Sequence, residues 1–88
     1  MSVANYPHII KEIGLPARMQ SHPRTRVATI VKEYLNPGAT IEDTIWQFPF
    51  LSLAEVHAAL TYYYDNQHEI DVEIQSEAEP FKKRSPAN

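Results

Sequence analysis

A chain of 88 residues forms one small domain, because at this length only about 60–65% of the unfolded surface is buried on folding and two separate cores cannot be sustained. The absence of cysteine excludes disulfides, thiolate catalysis and zinc–thiolate sites, while 43% apolar residues including five Tyr, three Phe and one Trp exclude a chain too polar to fold. The net charge of −3 is unevenly spread: Lys11, Arg18, Arg24, Arg26 and Lys32 face only Glu12 before residue 33, ten carboxylates and no Lys or Arg occupy residues 33–79, and Lys82, Lys83 and Arg84 follow.

In chain order, His8 to Glu12 and Ala17 to Gln20 around the Gly14-Leu15-Pro16 break predict a short N-terminal β-hairpin over about residues 6–20. A two-stranded hairpin is marginal alone in water, so it must pack on helices or pair with another chain. An unpaired strand over residues 6–12 would template such pairing, and a homodimer is expected.

After Ser21-His22-Pro23, the spacing of Val27, Ile30, Val31, Tyr34 and Leu35 is that of one helical face, and Asn36-Pro37-Gly38 ends that helix. Thr40 with Asp43 caps a second helix whose buried stripe is Ile41, Ile45 and Phe48; Trp46 lies off this stripe and is expected to close the core. Past Pro49, Ser52 and Glu55 form a capping box, with Leu51 and Val56 as its hydrophobic staple, so a third helix starts at Leu53. Its inward face is predicted as Leu53, Val56, Leu60, Tyr63 and Tyr64, and its outward face as Ala54, Glu55, Ala58, Thr61, Tyr62 and Asp65. Asn66 and Glu69 would cap a fourth, weakly held helix with Ile70 and Ile74 as its apolar contacts. The domain is thus read as residues 1–78, and residues 79–88, EPFKKRSPAN, as a flexible tail.

Two helices joined by Pro49-Phe50-Leu51-Ser52 and braced by a preceding helix have the spacing of a helix-turn-helix unit. Together with Thr25-Arg26-Val27, Gly38-Ala39-Thr40-Ile41-Glu42-Asp43, the run from Pro49 to Val56, the run from Ala58 to Asp65 and Glu69-Ile70-Asp71, this resembles the prokaryotic family catalogued as domain of unknown function 433, over roughly residues 8–75. The resemblance implies a mainly α fold, a three-to-four-helix homeodomain-like helix-turn-helix bundle behind a short hairpin. It also implies a VapB-like antitoxin that binds and restrains a PIN-like toxin. Where the family usually has a Gly before its Thr-Arg pair, this chain has Pro23-Arg24.

No nucleophile motif, Gly-rich phosphate loop or metal-spaced carboxylate set is present, so neither catalysis, a cofactor nor a small-molecule substrate is expected. No apolar run approaches the length of a membrane span, and a cytoplasmic location is expected. The third helix lacks outward Arg, Lys, Asn or Gln, the usual readers of base edges. Any DNA contact is therefore expected from Arg18, Arg24 and Arg26, made to phosphates by a dimer. Partner binding is assigned to Tyr62, to Asp71, Glu73 and Glu77 of the fourth helix as an anionic strip suited to a basic surface, and to Phe81 as an apolar anchor in the tail. The competing readings are a transcriptional regulator without a toxin partner and a scaffolding domain.

Overall fold

The computed structural model describes the backbone of residues 6–84 and the side chains of residues 6–77. The described chain is mainly helical, with four helices behind a two-stranded antiparallel hairpin: β1 (Ile9–Ile10), β2 (Arg18–Met19), α1 (Val27–Tyr34), α2 (Ile41–Gln47), α3 (Leu53–Asp65) and α4 (Gln67–Arg84). Ile9 pairs with Met19 and Ile10 with Arg18. On its other side β2 meets the lead-in to α1: Met19 N–H donates to Thr25 O at 2.9 Å, Val27 N–H donates to Ala17 O at 3.0 Å, and Arg18 bridges Arg26. With Ile9, Ala17 and Met19 buried, the hairpin solves its marginality by packing on its own helices. Of the two supports open to the hairpin, packing on helices or pairing with another chain, the described chain shows the first.

Helix α1 is the hub, packing against α2, α3, α4 and β2 through Val27, Ala28, Ile30 and Val31, all buried. Its exit is a turn over residues 36–39, closed by Ala39 N–H donating to Asn36 O at 2.9 Å. Pro37 stands second and Gly38 third with φ +81°, the residue pattern of a type II turn, in which a β-carbon at the third position would be strained. Reciprocal capping boxes start the next two helices. Asp43 N–H donates to Thr40 Oγ1 at 3.2 Å while Thr40 N–H donates to Asp43 at 2.9 Å; Ser52 and Glu55 repeat the device at 3.2 and 2.7 Å. Leu51 and Val56 are both buried, as a staple requires.

Three sequence expectations are corrected. Tyr62 is 2% exposed and Tyr64 56% exposed, the reverse of the predicted faces. The buried arc of α3 is Val56, Ala59, Leu60, Tyr62 and Tyr63, turned by about 60° from the predicted one at 100° per residue, because the side of α3 carrying Tyr62 is the one that meets the hairpin and α4. Leu53, left outside this arc, is 59% exposed. Trp46 is 81% exposed; the inward positions of the short α2 are Ile41, Thr44, Ile45 and Phe48, and Trp46 lies opposite them. Finally, α4 is firmly docked, with Ile70 fully buried and Ile74 packed on the core. Its backbone stays helical to Arg84, through the first residues of the segment read as a tail.

Candidate functional site

The residues singled out in the sequence do not converge on one surface. Glu69, Glu73 and Glu77, four apart and so on one face of α4, point back into the molecule. Glu69 pairs with Lys11 at 3.3 Å, Glu73 with Arg26 at 3.3 Å, and Glu77 with both Arg26 and, at 3.8 Å, Lys32. Burial holds the Glu73 carboxyl above its usual range despite the opposing pull of Arg26. The anionic strip is therefore no free docking surface, and Arg26 is no free phosphate ligand. Arg18 is likewise paired, with Glu12 at 3.2 Å. Among the described residues, Arg24 is the member of the predicted basic cluster that is exposed and has no ion pair.

Tyr62 is corrected from a contact residue to a core residue. Its ring packs edge-on against Tyr6 with centroids 5.0 Å apart, and its hydroxyl donates to both carboxylate oxygens of Glu69 at 2.9 and 3.0 Å. Burial first, and then the neighbouring Glu69, hold its phenol well above the ordinary value. Tyr63 donates to Asp71 at 3.0 Å, so Asp71 stays at the surface but already accepts a hydrogen bond. The Phe81 side chain lies outside the described residues. The signal that was missed is the i, i+4, i+8 spacing of Glu69, Glu73 and Glu77 read against the cationic N-terminal third: the two charge blocks bind each other.

Two of the exposed features combine an aromatic side chain with nearby charge. The first is the corner between α2 and α3, where Trp46 near the end of α2 stands one helical turn from the exposed Glu42 and Asp43, and Leu53 at the start of α3 is also exposed. The second is an open pocket of about 430 Å³ lined by Ser21, His22, Pro23, Arg24, Thr25 and Phe50. Its floor is a turn over residues 22–25, closed by Thr25 N–H donating to His22 O at 2.8 Å, with Pro23 at the second position where its fixed φ fits. Phe50, half exposed at 48%, tilts against the His22 ring with centroids 4.8 Å apart and against Phe48 at 6.1 Å. Behind the pocket Ser21 donates its hydroxyl hydrogen to Glu55 and lies 2.9 Å from His22 Nδ1. Hydrogen bonds from Ser21 and then from the Ser52 backbone hold the Glu55 carboxyl below its usual range.

Among the described residues no group of three or more His, Asp or Glu side chains is placed to hold a metal ion, and no helix is long and apolar enough to cross a membrane. In comparison with known proteins, the chain matches no family model, no curated sequence and no solved structure.

Proposed function

We propose that this protein is a non-catalytic, antitoxin-like binding module, with a homeodomain-like arrangement of α1 to α3, that holds a basic partner protein of the PIN-like toxin class at the corner between α2 and α3. The observation that carries the reading is Trp46: a large aromatic left 81% exposed on a helix whose other side is packed into the core. Aromatic anchors of this kind are over-represented where binding energy concentrates. Glu42 and Asp43 lie within one helical turn of it, and no Lys or Arg occurs between residues 33 and 79, so the surroundings suit a cationic partner. The resemblance in sequence stated above favours the same class of partner, by analogy alone.

DNA binding by a dimer, a regulator without a toxin partner, and a scaffolding role are the competing functions. The first two lose support from the ion pairs of Arg18 and Arg26, which take those cations away from phosphate. The test is co-expression with a nuclease-like protein encoded beside this chain's gene, followed by calorimetry. We expect a complex in which the nuclease activity is suppressed and Trp46→Ala weakens binding by at least tenfold, the usual loss at a hot spot, with an unchanged melting curve. A complex unaffected by Trp46→Ala would move the surface elsewhere, and no complex with such a neighbour would refute the antitoxin reading.

A further inference from the structure

We propose that the pocket between the turn of residues 22–25 and Phe50 binds one unpaired nucleotide, its base against Phe50 and its phosphate at Arg24. Phe50 stands in the connection between α2 and α3, beside the partner surface, but the site uses neither Trp46 nor the carboxylates near it and does not rest on that reading. The chemistry comes from what shares the pocket. Arg24 is an exposed guanidinium with no ion pair among the described residues, and a guanidinium fork fits phosphate oxygens in a bidentate manner. The other arginines among the described side chains are paired with Glu12, Glu73 and Glu77, so the described guanidinium without an ion pair is the one at the pocket. Thr25 lines the same pocket.

Phe50 lines the same pocket, with the rings of His22 and Phe48 against it, and the residue as a whole stays about half exposed. A flat apolar ring beside a cation is the minimal recognition unit for a nucleotide in single-stranded form, because every base offers a π-face and every nucleotide a phosphate. The carboxylate behind the pocket, Glu55, is already engaged by Ser21 and Ser52. Duplex DNA is the wrong occupant, since its base faces are covered by their neighbours in the stack. An acidic peptide would use Arg24 but leave the aromatic wall idle.

The experiment is a titration of the full ¹⁵N-labelled chain, followed through its backbone amide signals, with adenosine monophosphate, adenosine, inorganic phosphate, a short single-stranded thymidine oligomer and the same oligomer in a duplex. Adenosine monophosphate and the single strand are expected to shift the amides of Ser21, His22, Arg24, Thr25 and Phe50. The single strand should bind more tightly if its flanking phosphates contribute, and the mononucleotide equally well if the pocket takes free nucleotide. Phe50→Ala should weaken both by about tenfold, in line with the loss of one stacking contact. Arg24→Gln, a change at an exposed position, should weaken them similarly and remove most of the salt dependence. Absence of shifts at these residues overturns the proposal. So does equal binding of inorganic phosphate or of duplex, or an Arg24→Gln protein that binds as tightly as the parent.

Discussion

Glu55 caps α3 by accepting from the Ser52 backbone and at the same time accepts the Ser21 hydroxyl, so one carboxylate fastens the start of a helix to the turn before α1. Both bonds favour its charged form and lower its pKa. A group whose folded pKa is depressed contributes stability above its unfolded pKa and loses that contribution as pH falls through the folded value. The parent protein should therefore lose stability as acid carries it below the ordinary carboxylate range, and Glu55→Gln should show a shallower loss across that window in denaturant melts repeated against pH. Glu73 has the opposite sign: its pKa is raised by burial, so its contribution is greatest when protonated and fades as pH rises between the ordinary value and the raised one. Capping residues of this sort were legible beforehand because Ser52, Glu55, Thr40 and Asp43 act within four residues of one another. Tyr62 was not, because its burial depends on where α4 lies, a long-range fact that the periodicity of α3 does not contain.

At the level of elements, α4 shows how counting apolar residues misjudges a helix. With Ile70 and Ile74 as its buried apolar contacts it reads as loosely held, yet Tyr62 and Tyr63 on α3 donate to Glu69 and Asp71, and Lys11, Arg26 and Lys32 close ion pairs along its inner face. Arg26 is the joint of this arrangement, standing at the N-cap of α1 while reaching Glu73 and Glu77 on α4. Its side chain is partly exposed, so solvent screening limits the effect of its removal to about 1 kcal/mol. Arg26→Ala should accelerate amide exchange in the α4 segment around Glu73 by about fivefold while the centre of α3 keeps its protection. Equal acceleration throughout would mean that α4 does not open as a separate unit.

For the molecule as a whole, element order, the hairpin and three helix starts could be read from the sequence, since turns, caps and periodicity are local. What could not be read was which surfaces meet. Arg26, Glu73 and Glu77 look like part of a basic face and an acidic face when each is placed on its own element, and become internal partners only once α4 lies across α1. The described fold also joins α3 to α4 through the single residue Asn66, whose side-chain amide donates to Tyr62 O at 3.0 Å. Such a joint has no slack, and it sets the angular phase of α4 much as a keyed shaft sets a gear. One residue added there would turn every following side chain by about 100°, carrying Ile70 out of the core and Glu73 and Glu77 away from Arg26 together. An alanine inserted directly after Asn66 should therefore cost about 2–5 kcal/mol in denaturant melts, the scale of losing a buried aliphatic side chain. The same insertion between Ile13 and Gly14, at the exposed tip of the hairpin, should cost far less. Length variation among chains built on this plan is thus admissible at the tip and forbidden at the joint.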